Sequence, residues 1–365
     1  MEGTEAGAAG FGQPSPLAGT ADPTAPSLLD DPTLDAAPSL EPVPFSKGDG
    51  RQLARWMHIV RAPVLLCSLA PVAISATLLW TEGVRISVPL LVATLGAAVF
   101  VQAGANVLDA YLDHLRTQQM VRIDPSSSSV RRFSRSLSAL LEADIYPRDA
   151  FRAAALLFIC GAICGIPLLM VGGWPVVILG VVGALVAVLY SSTNFALKRL
   201  PLGEVAVFLG LGPGLVALTL FVQHRAATTQ EVAIGIGLGL FALALVEAAN
   251  LRAVSPEIRD GRLTVVRLLG PWRGRLFFAG CLLGAYLVVA GVALLPKMTH
   301  SAVLVLCSFP TAVVPLTGAL RAKGAAALGH VVRYTVRAYC LFTFWLVAGL
   351  VLGALALKVL AYFGR

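Results

Sequence analysis

The sequence predicts an all-α protein that crosses a lipid bilayer about nine times, with its N-terminus on the cytoplasmic side. Apolar residues make up 57% of its 365 residues and charged residues only 13%, about half the charged fraction of roughly 25% that soluble proteins carry. Nine apolar stretches are long enough to cross the roughly 30 Å hydrocarbon core as helices. They cover approximately residues 62–81, 86–112, 153–171, 174–192, 204–223, 231–251, 276–296, 302–320 and 338–361.

Residues 1–50 differ from the rest of the chain in composition. This segment is rich in Pro, Ala, Gly, Ser and acidic residues and contains no long apolar run. Such a composition does not bury a hydrophobic core. We therefore expect a disordered N-terminal tail over 1–50, followed by a transmembrane helical domain over 51–365.

The distribution of Lys and Arg predicts the orientation. With the N-terminus inside, the cytoplasmic segments hold all but five of the 28 Lys and Arg, as expected from the excess of positive charge in cytoplasmic loops. The same rule accounts for the net charge of +8 without a nucleic-acid partner. The outer side keeps Arg85, Arg225, Lys297, Lys358 and Arg365.

Two predicted connections, 113–152 and 252–275, are long and basic. Both follow a helix that ends in a polar stripe, and each stripe has the spacing i, i+3, i+7 that places residues on one helical face. Both stripes lie on the cytoplasmic side of the predicted topology, which suggests an internal repeat around a shared site. The first stripe is Asn106, Asp109 and Asp113, and the second is Asn250, Ala253 and Glu257.

Acidic residues at membrane-helix ends, next to basic loops, suit the binding of a phosphorylated lipid. Carboxylates are hard ligands for Mg²⁺, which usually combines one or two of them with substrate phosphates. Cationic side chains hold the remaining phosphate oxygens, and apolar helices suit a hydrocarbon tail. From spacing alone, simple pairing of interfacial acids with loop arginines explains the pattern equally well. The cationic candidates are Arg116, Lys198, Arg252, Arg259 and Arg262.

Four stretches in order along residues 52–320 resemble the UbiA superfamily of intramembrane prenyltransferases, and most resemble its dihydroxynaphthoate-prenylating branch of menaquinone synthesis. VRAPVLLCSLAPVAISATLL (60–79) is similar to the opening Arg-Pro helix, with Arg61 kept and Ala62 at the usual proline. AGANVLDAYLDHL (103–115) is similar to the first aspartate-rich motif. Asn106 and Asp113 match that motif, and Asp109 occupies its second Asn position.

The other two stretches lie in the second half of the chain. LYSSTNFALKRLPLGEVAVFLGLGP (189–213) resembles the segment after the fourth helix, and NLRAVSPEIRDGRLTVVRLLG (250–270) resembles the second aspartate-rich motif. The family positions matched in these stretches are Tyr190, Lys198, Gly203, Glu204, Pro213, Asn250, Arg252, Gly261 and Thr264.

The second motif departs from the family pattern. Ala253 stands at its first aspartate and Glu257 at its second, and an alanine side chain does not bind a metal. Pro256 lies between them, where it disfavours a continuous helix. Asp260 is a weak candidate for a compensating ligand.

The resemblance implies an intramembrane enzyme, expected in the bacterial inner membrane, that transfers a polyprenyl group from its diphosphate to an aromatic acceptor. Its Mg²⁺ would be held by Asp109, Asp113 and Glu257, which would form the catalytic and metal-binding set. The implied substrate-binding residues are Asn106, Arg116, Tyr190, Lys198, Asn250 and Arg252.

Two other functions are compatible with parts of the sequence. Ala253 and Pro256 fit a catalytically decayed relative that only binds an isoprenoid or another lipid. The paired stripes fit a transporter built from repeats, although no broken helix with polar groups near the bilayer midplane is predicted. Glu247, deeper in the sixth apolar stretch, would contact the acceptor or act as a base, or else be protonated or paired with a neighbour.

Overall fold

The computed structural model describes residues 51–123, 140, 143, 145–191, 197–223, 226–253, 263–295, 300–322 and 325–363. All of them belong to one compact unit, Pro42–Arg365. The predicted tail, 1–50, and Glu257 of the second motif lie outside the described residues, so the predictions for them stay predictions.

The described residues form ten α-helices and no strand, which confirms the all-α class. The helices are α1 Arg51–Ile59, α2 Leu66–Thr81, α3 Val88–Ile123, α4 Pro147–Ser191, α5 Pro201–Leu209, α6 Leu215–Val222, α7 Thr229–Ala253, α8 Val265–Ala293, α9 Phe309–Arg321 and α10 Ala325–Phe363. Short 3₁₀ segments precede some of these helices: Ala62–Leu65 before α2, Leu197–Arg199 before α5 and His300–Ser308 before α9.

Within the described ranges, 8 helical segments are long and apolar enough to cross a membrane. The 45 residues of α4 would extend about 68 Å at 1.5 Å per residue, twice the length needed for one crossing. The helix breaks at Gly173, whose φ of 60° and ψ of −152° are not helical. Counting the two halves of α4 separately gives nine crossings in the described residues, as the sequence predicts.

A contact between the first and last spans supports an odd number of crossings. The Lys358 ammonium, near the end of α10, lies 4.6 Å from the centroid of the Trp80 ring, near the end of α2. The ends of these two helices therefore lie on the same side of the bundle. The first and last spans of a chain run in the same direction through a membrane only if the number of spans is odd.

Several helices extend beyond the apolar stretches that predict them. Helix α3 continues to Ile123, and α8 begins at Val265. The connections predicted over 113–152 and 252–275 are therefore partly helical, and their predicted lengths are wrong. Hydropathy marks only the lipid-facing part of a helix, whereas backbone hydrogen bonding continues into polar turns at its ends.

The fifth span contains a break that the sequence analysis did not predict. Between α5 and α6, residues Gly210–Gly214 form a widened turn with Gly212 outside helical geometry. A Cβ added at Gly212 would lie 2.5 Å from the Gly239 Cα and 2.6 Å from the Gly235 carbonyl oxygen. The break is therefore filled by close backbone packing against α7, which small residues allow in membrane helices. It carries no polar side chain of the kind expected in a transporter.

Helix α7 is the centre of the bundle, and 67% of its most apolar 18-residue segment is buried. It packs against α5, α6, α8 and α10. The Phe241 ring lies 4.9 Å from Tyr339 and 5.0 Å from Phe342, measured between ring centroids. This aromatic packing fixes the axis of α7 and so the position of its polar end at Asn250.

Candidate active site

The polar stripe of α3 faces inward at one end of the bundle. Asp109 is only 3% exposed, and the Asp113 side chain is 19% exposed. The Asn106 side-chain amide donates a hydrogen bond to the Val60 carbonyl oxygen at 2.8 Å. Asn106 therefore holds the start of the first span against α3, and the two carboxylates lie one and two turns further along the same face.

Lys198 joins the two carboxylates. Its Nζ donates hydrogen bonds to both Asp113 oxygens, each at 2.7 Å, and to Oδ1 of Asp109. Lys198 is 8% exposed. Removing a charge from water is costly unless it is paired and hydrogen-bonded, and here one cation satisfies two acids from a distant part of the chain.

A glycine permits the tight turn that presents Lys198. Gly203 lies in the first turn of α5, and a Cβ added there would lie 2.5 Å from the Leu197 carbonyl oxygen and 2.9 Å from the Lys198 Cα. Pro201 begins α5, where its missing N–H is not needed. The Lys198 turn can pack this closely on α5 only because residue 203 has no side chain.

Two arginines also belong to the charged cluster. The Arg61 Nη2 lies 2.9 Å from Asp109 Oδ2, and the Arg116 Nη1 lies 2.9 Å from Asp113 Oδ1. Arg61 has a φ of 55°, a left-handed conformation that is uncommon for a residue with a side chain. Tyr190, at the end of α4, is half-buried and interacts electrostatically with Arg61.

Among the described residues, the cluster combines two carboxylates with three cations. Arg61 belongs to the charged cluster, although the predicted site omits it. The sequence shows Arg61 only as part of the segment that resembles the Arg-Pro helix. Its side chain is 46% exposed, whereas that of Lys198 is 5% exposed. Arg61 is thus the more accessible cation of the two.

The second polar stripe leads to a different environment. The Asn250 side-chain amide donates to Glu204 Oε1 at 3.1 Å, and both groups are buried. The backbone N–H of Val265 donates to the Glu204 oxygens at 3.0 and 3.1 Å. Asn250, predicted to bind substrate, is thus engaged with Glu204. Arg252 is exposed in the last turn of α7.

Glu247 lies one turn before Asn250 and is fully buried. Its two carboxyl oxygens make no hydrogen bond within the described part of the chain, and it interacts electrostatically with Glu204. The alternatives that the sequence leaves open for Glu247 therefore stay predictions.

Asp109 and Asp113 have the oxygen chemistry that Mg²⁺ prefers. Within the described ranges, no group of three or more His, Cys, Asp or Glu is arranged to hold a metal ion. The predicted third carboxylate, Glu257, lies outside those ranges. A metal at this end of α3 would rely on the two aspartates together with oxygen ligands from elsewhere.

The profile of the UbiA prenyltransferase family matches residues 68–324. The chain belongs to this family. It is an integral, multi-pass membrane protein and a prenyltransferase of the UbiA type. Asp109 and Asp113 of the charged cluster lie in the stretch 103–115, which resembles the first aspartate-rich motif of that family.

Curated relatives and solved structures agree with this assignment. A 1,4-dihydroxy-2-naphthoate octaprenyltransferase of Bacillus subtilis is 21% identical over 81% of this chain and 91% of its own length. One of Mycobacterium tuberculosis is 27% identical over 66% of this chain and 76% of its own. A UbiA homolog from Archaeoglobus fulgidus, bound to GPP and Mg²⁺, has the same fold, with a TM-score of 0.51, 12% identity and coverage of 80% of this chain and 99% of that one.

Proposed function

We propose that this enzyme transfers a polyprenyl group from its diphosphate to an aromatic hydroxy acid of the dihydroxynaphthoate type, with Mg²⁺ as cofactor, in quinone biosynthesis at a bacterial inner membrane. The observation that carries the proposal is the charged cluster of Asp109, Asp113, Lys198, Arg61 and Arg116. Two carboxylates with three cations among the described residues suit a metal-bound diphosphate, because the cations neutralise phosphate oxygens that the metal does not contact.

The donor set fits the proposed cofactor. Asp109 and Asp113 both reach the Lys198 Nζ, so their carboxylates lie close enough to share one ion. Mg²⁺ commonly uses one or two carboxylates and takes its remaining ligands from water and phosphate. When bound, Mg²⁺ would act as a Lewis acid on the diphosphate leaving group. The Mg²⁺ and GPP in the Archaeoglobus homolog support this choice.

The cationic side chains and the apolar helices have separate tasks in the proposed reaction. Lys198, Arg61 and Arg116 stabilise the charge that develops on diphosphate as the allylic C–O bond breaks and the leaving oxygen takes the electron pair. The apolar helices keep water away from the allylic cation. The aromatic ring carbon that bears the carboxylate then forms the new C–C bond, and loss of CO₂ returns the electron pair to the ring. The names of the two curated relatives support an acceptor of this kind.

Diphosphate release from purified protein tests the proposal. Geranylgeranyl diphosphate and dihydroxynaphthoate are supplied with and without Mg²⁺, and the prenylated product is identified by mass spectrometry. We expect Mg²⁺-dependent release that Asp113→Ala lowers by about 100-fold or more, since electrostatic groups at such sites contribute on that order.

Asp149→Ala is the matched control, because Asp149 forms an exposed pair with Arg152 on α4 at the same i, i+3 spacing as the Asp113–Arg116 pair. It should leave the rate unchanged. Protein that binds the donor but releases no diphosphate would contradict the proposed reaction and support the lipid-binding alternative.

A further inference from the structure

Glu204 lies outside the charged cluster, yet it connects the segment that carries Lys198 to two other spans. It stands in the first turn of α5 and is 4% exposed. Its carboxyl group accepts hydrogen bonds from Asn250 on α7 and from the first N–H of α8, at Val265. One buried side chain thus ties three helices together.

The start of α8 depends on this contact. Thr264 occupies the position before the helix, but its side chain makes no capping hydrogen bond. The unpaired N–H groups at a helix start need acceptors. Glu204 supplies one from a different helix, so the register of α8 is set by α5.

A second bond reinforces the connection. The Leu263 N–H donates to the Arg199 carbonyl oxygen at 2.7 Å. Arg199 directly follows Lys198, so the backbone after Lys198 is held at two places: at Arg199 by Leu263, and in the first turn of α5 by the hydrogen bonds of Glu204. We name residues 197–204, which extend from the Lys198 turn to Glu204, the Lys198 bridge.

The bridge therefore connects the stretches of the two aspartate-rich motifs. Lys198 contacts the first motif through Asp109 and Asp113, and Glu204 contacts the second motif through Asn250. A long lysine side chain has several rotatable bonds, so its ammonium stays between two carboxylates only if its backbone is held. Glu204 provides that restraint from a distance.

We propose that Glu204 is a positioning residue for the proposed reaction, anchoring the Lys198 bridge on α7 and α8 so that Lys198 meets the diphosphate of the donor. Glu204 itself does not touch substrate. The proposal rests on the proposed function, and the experiment separates the failure of one from the failure of the other.

A double-mutant cycle on donor binding is the test. The parent, Glu204→Ala, Lys198→Met and the double variant are placed in nanodiscs. The dissociation constant of a non-hydrolysable geranylgeranyl thiodiphosphate is measured with Mg²⁺, from the thermal stabilisation that the analogue causes. If Glu204 acts through Lys198, Glu204→Ala raises the constant by about tenfold in the parent and less than about twofold in the Lys198→Met background, because coupled residues are non-additive.

Glu231→Ala is the matched control. Glu231 is also a buried glutamate that caps a helix, accepting hydrogen bonds from the Thr228 N–H at 2.7 Å and from its hydroxyl at 2.9 Å, but at the opposite end of α7. It should lower thermal stability without changing donor binding. Glu204→Gln, which keeps one acceptor oxygen, gives a milder variant if the alanine variant does not fold, and it should show a smaller effect with the same dependence on Lys198.

Each outcome bears on a defined claim. If Lys198→Met leaves donor binding unchanged, the proposed role of the charged cluster fails. Two results would make Glu204 only a structural residue and overturn the inference, given that Lys198→Met weakens binding. In one, Glu204→Ala raises the dissociation constant by the same factor in the parent and in the Lys198→Met background. In the other, Glu204→Ala changes the constant no more than Glu231→Ala does.

Discussion

Two acidic regions meet at the Lys198 bridge, and their carboxyl groups have different kinds of neighbour. Asp109 and Asp113 pair with Lys198, Arg61 and Arg116. Among the described residues, no Lys or Arg pairs with Glu204 or Glu247, and Glu204 accepts from an amide and a backbone N–H instead.

Because of this difference, the first region can exchange its partners for a ligand, whereas the second region cannot. Cations that neutralise acids at a partly exposed site can also bind phosphate. Neutral donors that lie in a fully buried position are held by the fold, and leaving them without an acceptor costs stability. The first region is therefore suited to ligand binding, and the second to holding the helices.

The largest expected effect comes from breaking the charged region. Asp109→Ala leaves Lys198 and Arg61 without one shared acid, and loss of one partner of a buried ion pair is strongly destabilising, by about 3–5 kcal/mol. We expect kcat/KM to fall by about 100-fold or more, together with a lower thermal unfolding midpoint. Steady-state kinetics on folded protein would check this, and an activity near that of the parent would remove Asp109 from the site.

A smaller effect is expected from Gly203→Ala, which disturbs the bridge without changing any charge. The added Cβ would contact the Leu197 carbonyl oxygen and the Lys198 Cα, and overpacking of this kind costs about 1–3 kcal/mol. We expect a higher KM for the prenyl diphosphate with a smaller change in kcat. Gly210→Ala is the control, because an added Cβ there meets no atom within 4 Å. Equal effects from the two substitutions would show that Lys198 tolerates movement of its turn.

The smallest effect is expected from Glu247→Gln in the buried region. The substitution keeps the shape of the side chain and removes a group whose charged form is costly in an apolar interior. We expect unchanged kcat and a thermal unfolding midpoint equal to or above that of the parent. A large loss of kcat at unchanged stability would instead assign Glu247 a role as base or acceptor contact.

Local spacing predicted the two acidic residues of the charged cluster. Asn106, Asp109 and Asp113 share a helical face because they recur at i, i+3 and i+7, and the structure keeps them on α3. The sequence shows Arg61 and Glu204 as family positions, but the predicted site includes neither residue. Nothing in their own neighbourhood shows that one meets Asp109 and the other meets Asn250.

The sequence by itself determined the membrane class, the number of crossings and the family, because apolar length and residue spacing are local properties of the chain. Only the tertiary structure decided that Lys198 lies between Asp109 and Asp113, and that Asn250 bonds to Glu204 and not to the charged cluster. Those contacts join residues far apart in the chain. They depend on where glycines such as Gly203, Gly212 and Gly239 let backbones approach, which is a property of packed helices and not of any one segment.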